Sequence, residues 1–183
     1  MFNRDQFIAD CIQAVDQGQG ALLQIMDEAV TDPSRVISEL GDPTGAGLVV
    51  LHRSPRLTIL NFAWAPCMSM MPHNHRMFSV VGIYSGREDS VLWQRKERRI
   101  EAAGATSLGA GETGCLGKEA IHSVLNPTSK LACALHMYGG DFFEPPEPRS
   151  EWDPETLVEK PWDMEKAKSL FQTAEARFKS VPQ

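Results

Sequence analysis

At Gly47 the hydrophobic period of the chain changes from helical to alternating, and no other feature of its 183 residues constrains the fold as much. From there to Tyr138 the apolar residues fall into short runs: "GLVVLH", "RLTILNFAW", "FSVVGIY", "SVLWQR" and "LACALHMY". Each is rich in β-branched or aromatic residues, and Gly, Pro, Asn and Ser separate them. Many short strands with turn signals between them predict an all-β sandwich or barrel.

Helices are expected on either side. Phe7, Ile8, Cys11, Ile12 and Val15 form a helical stripe, with Asn3 placed to cap its start and "DQGQG" to end it. Leu22, Ile25, Met26, Ala29 and Val30 repeat the pattern. Asp32-Pro33 then offers an N-cap and a first-turn proline for Val36, Ile37 and Leu40, with Gly41 as the stop. After Phe143 the Pro-rich, acidic "EPPEPRSEWDPE" predicts an extended run over the surface. A last helix is expected from about Asp163, with Met164, Ala167, Leu170, Phe171, Ala174 and Phe178 as its apolar stripe. The reading is one domain over residues 1–183, with helices in 1–45, the β-barrel in 46–143, and the extended segment and closing helix in 144–183.

The net charge of −6 and the pI near 5.4 argue against nucleic acid as a partner. The one basic run, Arg95–Arg99, is broken by Glu97 and reads as a solvated strand or hairpin. No apolar run approaches the roughly 20 residues of a membrane span, and the N-terminus lacks the pattern of a signal peptide. The four cysteines, Cys11, Cys67, Cys115 and Cys133, are scattered without a C-x-x-C, as expected of reduced thiols in a cytoplasmic protein. Cys67 lies six residues before His73 and reads more simply as a small buried hydrophobe than as part of a site.

His73 and His75 are two of only five histidines, and on a strand residues i and i+2 share a face. Three readings of the pair compete: a metal grip, a general acid–base pair, or two solvated residues at a strand edge. Imidazole nitrogen is a common ligand for Fe, Zn, Ni and Cu. Farther on, "LGAGETGCLGKEAIHSVLNPT" places His122 after a glycine-rich turn, followed by Asn126-Pro127.

Together these stretches resemble the two cupin motifs. The first is H-x-H with a closing glycine, here His73, His75 and Gly86. The second is G-x5-G-x4-H-x3-N, here Gly111, Gly117, His122 and Asn126. The resemblance covers about Leu48 to Phe143 and implies a double-stranded β-helix with His73, His75 and His122 on a metal, at about 2.0–2.2 Å. The carboxylate that cupins usually add four or five residues after H-x-H is replaced by Ser79 and Val80. Glu88 and Asp89 fall beyond the turn at Ser85-Gly86, too late to stand in for it. Three neutral histidines leave a divalent ion its full charge and favour an anionic partner such as a thiolate.

"MPHNHRMFSVVGIYSGRED", "IHSVLNP" and "ALHMYGGDF", with "LTILNFAWAPCMSMMPHNH", further resemble the thiol dioxygenases: cysteine dioxygenase and its mercaptopropionate-oxidising bacterial relatives. That resemblance implies a mononuclear Fe(II) oxidoreductase, with Zn, Ni or Mn able to occupy the purified protein. Its substrates would be a small-molecule thiol and O2, and both oxygen atoms would end on sulfur as a sulfinate. It also implies catalytic roles for His136 and Tyr138, on the strand that in the family reads Ser-x-His-x-Tyr and here begins with Ala134. The family's carboxylate-binding Arg or Gln falls on the apolar run Leu48–Leu51. Either the substrate lacks the usual carboxylate, or Arg53, Arg56 or Arg149 holds it, and the sequence places none of them. The cysteine that crosslinks to tyrosine in the mammalian enzyme is absent, with Ser79 or Val80 in its place.

Plainer readings stand beside these. His136 as a buried histidine bonded to a carbonyl and Tyr138 as a barrel-filling aromatic account for the same residues. His52 reads as a turn residue, and Trp64, Trp93, Trp152 and Trp162 as packing, with Trp64 able to line the pocket. Two other functional classes share the fold: a cupin dioxygenase of a carbon substrate, and a non-catalytic small-molecule-binding cupin. Monomer and homodimer are both compatible with the sequence.

Overall fold

The computed structural model describes residues 2–97 and 99–180. Arg98, inside the basic run, and residues 1 and 181–183 at the ends of the expected domain lie outside the described residues.

The chain opens with α1 (Arg4–Ala14), a 3₁₀ turn (Val15–Gln17), α2 (Gln19–Val30) and α3 (Pro33–Leu40). Asn3 caps α1 by accepting a hydrogen bond from the Gln6 amide at 2.8 Å. Asp32 precedes α3 without a side-chain cap and pairs instead with Ser34 and Arg35, so Pro33 in the first turn is what starts that helix. The strands are β1 (Gly47–Arg53), β2 (Thr58–Trp64), β3 (Ser69–Asn74), β4 (Ser79–Ser85), β5 (Arg87–Lys96) and β6 (Arg99–Gly109). They continue with β7 (Thr113–Leu116), β8 (Ile121–Leu125), β9 (Ala132–Tyr138), β10 (Ser150–Trp152) and β11 (Glu159–Pro161), and α4 (Met164–Ser180) closes the chain.

The strands form two antiparallel sheets, in the orders β1-β2-β9-β4-β7 and β11-β10-β3-β8-β5-β6. The inner orders β2-β9-β4-β7 and β3-β8-β5-β6 are those of an eight-stranded jelly roll, the double-stranded β-helix expected from the sequence. Gly86 joins β4 to β5 at φ +73°, and a Cβ there would meet the Ala132 Cα at 2.8 Å, so the turn needs glycine on both counts.

Helices α1 to α3 cover the outer face of the five-stranded sheet. Phe7, Cys11, Leu22, Met26, Val30 and Val36 pack there on Ile59, Val80, Tyr84, Leu135 and Met137. Each such side chain contributes about 1.5–3 kcal/mol on burial. A second apolar cluster fills one end of the barrel, where Ala167, Leu170, Phe171 and Phe178 of α4 meet Phe62, Trp64, Met70, Tyr138 and Phe142. Asp163 starts α4 by accepting from the Glu165 and Lys166 amides, each at 3.0 Å.

The segment after Phe143 does not simply cross the surface, as its Pro-rich composition suggested. It re-enters the molecule, β10 pairs with β3 through Glu151 opposite His73, and Arg149 and Glu151 are buried.

Candidate metal centre

Local irregularity sets the centre. Pro72 has no amide hydrogen for a ladder and is tolerated in a strand mainly at bulges and edges. The β3–β8 register shifts between Met70 and His73, so Met71 and Pro72 lie in a bulge. That shift puts His73 directly across from His122. Opposed residues of an antiparallel pair point to one face, and both imidazoles enter the barrel. His75 falls one residue past the end of β3 rather than within it. Arg76, at φ +57°, begins the turn that follows.

His75 Nε2 lies 3.1 Å from His73 Nε2 and 3.3 Å from His122 Nε2. Nitrogens held at about 2.0–2.1 Å by one metal, at right to tetrahedral angles, lie about 2.8–3.4 Å apart. The three residues therefore fit a metal bound on one face, as a group whose ligand atoms all lie within 4.8 Å. His73 Nδ1–H donates to the Met71 carbonyl at 2.9 Å, which leaves Nε2 bare for the metal. Ser90 Oγ stands 3.5 Å from His122 Nδ1, in place for the same support.

Burial holds all three imidazoles neutral. It takes His73 and His75 well below the ordinary histidine range, with repulsion from His122 and from Arg149 adding to it. Burial likewise brings His122 down to about 4, against an opposing pull from Glu88. Neutral imidazole is the metal-binding form.

Other polar groups face the same small cavity of about 70 Å³. Tyr138, on β9, packs its ring 4.9 Å from His75, and its hydroxyl is 3.3 Å from His136 Nδ1. His136 rests edge-on against Phe62, and its Nε2 faces Glu88 Oε2 at 3.4 Å. That separation is longer than a well-formed hydrogen bond, and neither atom has another partner among the described residues. Glu88, on β5, thus stands behind His136 and outside the three-histidine group, as its position in the sequence implied.

Arg149 completes the wall. Its Nε–H donates to the carbonyl of Asn74, between the two ligand histidines, and Nη1–H to the Phe142 carbonyl. The guanidinium lies between the rings of Phe142 and Trp162, at 4.4 and 4.3 Å. Nη2 has no partner among the described residues. Burial lowers the pKa of Arg149 to about 10, so it keeps its charge at neutral pH.

Of the residues singled out in the sequence, His73, His75, His122, His136 and Tyr138 all line one cavity, and Arg149 joins them. Arg53 and Arg56 do not; they pair with Asp141, Glu144 and Asp16 at the surface. His52 lies on β1 and is not among the lining residues. Trp64 lines the cavity, and so does Trp162, whose ring is 5.3 Å from that of His73 and which therefore does more than pack. Cys67 is exposed in a turn at φ +56°, neither buried nor at the site. Asn126 is a structural clamp: its amide donates to the carbonyls of Trp64, Ala65 and Lys130. The sequence carried a signal for Glu88, an acidic residue two after the motif glycine. It carried none for Trp162.

No protein-family model matches the chain, and no curated protein matches it. Solved structures do. A double-stranded β-helix protein of Klebsiella pneumoniae is 10% identical over 67% of this chain and 88% of its own, with a TM-score of 0.44. A cupin superfamily protein of Desulfitobacterium hafniense is 14% identical over 55% and 83%, with a TM-score of 0.43. A variant of Bacillus subtilis oxalate decarboxylase is 16% identical over 56% of this chain and 27% of its own, with a TM-score of 0.46. The fold itself rests on the strand order given above. The class that fold and site define is a jelly-roll protein with three buried histidines able to hold a metal.

Proposed function

We propose that the protein oxidises a small thiol bearing a carboxylate, using Fe(II) held by His73, His75 and His122 and O2 as the oxidant. The observation that carries this reading is the guanidinium of Arg149, which has no carboxylate partner and a free Nη2 among the described residues, in the cavity of the three neutral histidines. A divalent ion there keeps its full charge, and Arg149 adds another. Of the buried acids nearby, Glu151 is taken up by Lys166 and Glu88 lies against His136. A ligand with two anionic ends, thiolate and carboxylate, answers both cationic groups. A guanidinium already fixed by two carbonyls offers its remaining N–H groups to a carboxylate with little further ordering.

The cavity of about 70 Å³ admits only a few non-hydrogen atoms, since one water needs roughly 10–15 Å³. Phe62, Trp64, Phe142 and Phe171 exclude bulk water from it and strengthen the charge interactions inside. When bound, the iron supplies the single-electron chemistry that lets O2 react with sulfur. Both oxygen atoms pass to sulfur, giving a sulfinate; sulfur gives up four electrons and O2 takes them. Tyr138 stands beside His75, where its hydroxyl orients the reacting group. The resemblance of His136 and Tyr138 to the thiol dioxygenase strand supports the same assignment.

The test is oxygen uptake by anaerobically Fe(II)-loaded protein with cysteine, mercaptopropionate, cysteamine and thiols lacking an acid. The carboxylate thiols are expected to give one sulfinate per O2, with cysteamine poor. Arg149→Met is expected to raise KM for them by about 30-fold or more, the equivalent of roughly 2–5 kcal/mol. No uptake with any thiol, despite one tightly held iron, would overturn the thiol assignment. It would favour an anionic carbon substrate, for which the apolar walls of the cavity are equally suited.

A further inference from the structure

Glu88, on β5, is a carboxylate only 4% exposed. Its register partner on β6 is Leu108. Among the described residues no Lys or Arg is paired with it, and the polar group it faces is the Nε2 of His136 across the barrel. His136 in turn has Ala134 as its same-face neighbour on β9, which offers no hydrogen bond. Its other nitrogen faces Tyr138. Glu88, His136 and Tyr138 thus form a line of three buried polar groups, with separations of 3.4 and 3.3 Å, ending against the ring of His75.

We propose that Glu88 is a positioning residue that fixes which way the protons point along this line of polar groups. A carboxylate only accepts, so a bond to Glu88 requires the proton of His136 on Nε2. Nδ1 is then bare and accepts from the Tyr138 hydroxyl. The Tyr138 proton is committed to His136, and the phenol oxygen turns its lone pairs to the cavity. Tyr138 therefore meets the reacting group as an acceptor of fixed orientation rather than as a free rotor. Without Glu88, His136 can carry its proton on Nδ1 and donate to Tyr138, which reverses the line and frees the hydroxyl hydrogen for the cavity. The consequence for turnover rests on the proposed function; the tautomer does not.

The experiment compares wild type, Glu88→Leu and Glu88→Gln, using nitrogen NMR of the imidazoles in Zn(II)-loaded protein and kinetics of the Fe(II)-loaded form. Wild type is expected to show His136 as the Nε2–H tautomer, and Glu88→Leu to lose that preference. The same variant is expected to lower kcat by about 10–100-fold, with KM and bound metal unchanged. Glu88→Gln keeps a carbonyl acceptor and is expected to restore both the tautomer and much of kcat. An unchanged His136 tautomer in Glu88→Leu would overturn the proposal, as would a loss of rate explained by lost metal. If wild type oxidises no thiol, the NMR comparison still decides the role of Glu88.

Discussion

Along Ala132–Tyr138 alternate side chains enter two different interiors. Cys133, Leu135 and Met137 point out to the helices, while Ala132, Ala134, His136 and Tyr138 point into the barrel. All seven residues are buried, so burial does not distinguish the two sides. What differs is whether the polar atoms are paired. The helix side is closed mostly by hydrocarbon and sulfur, and the Tyr84 hydroxyl there donates to Asn61 Oδ1 at 2.8 Å. The barrel side holds Glu88 Oε2, His136 Nε2, Arg149 Nη2 and the indole nitrogens of Trp64 and Trp162, all buried without a hydrogen-bond partner among the described residues. Such atoms are rare in folded interiors, and four of the five belong to residues that line the one cavity. One side of the sheet packs the helices, and the other carries the polar groups of the candidate site.

That contrast can be broken from either side. The largest effect is expected from His75→Ala, which should abolish metal retention and turnover while leaving the circular dichroism spectrum unchanged. Metal content after desalting is the measurement, and unfolding of the variant would show that the barrel side also carries the fold. Next comes Leu135→Ala, on the helix side of the same strand. It should cost about 2–5 kcal/mol in denaturant unfolding, with turnover per folded molecule preserved; a changed KM would mean that the two sides are coupled. The smallest effect concerns the thiols. Burial raises Cys11 to about 12 and Cys133 to about 11, so neither supplies appreciable thiolate near neutral pH. A thiol reagent should label exposed Cys67 and Cys115 in the native protein, and Cys11 and Cys133 only after unfolding. Labelling of native Cys133 would show that the helix layer opens.

The strands with alternating branched residues were legible because a half-buried surface demands that period, and β1, β2, β4, β5 and β9 appear where it predicts them. β6 was not, because its "AAGATS" is made of small residues with no apolar alternation, and its long pairing with β5 holds it instead. The three histidines were legible through their spacing, which local strand geometry carries into space. Arg149 was not placed because it reaches the cavity through a tertiary return, from a Pro-rich stretch that reads as surface. Glu88 stands outside the three-histidine group, as its place in the sequence implied, but its approach to His136 was not legible, for a related reason. Its distance along the chain from His75 was measured, whereas the barrel brings it across from the facing sheet. Spacing serves within a strand and its turn, and fails where two sheets meet.

The return of the chain after β9 has a further consequence. The histidines lie within the jelly roll, whereas Arg149, Trp162 and Phe171 all come after its last strand. On the proposed function, the histidines that would hold the metal and the arginine that would hold the carboxylate are encoded in separable stretches of sequence. Selection, or an engineer, can rewrite the second and retarget the chemistry while the first stays as it is.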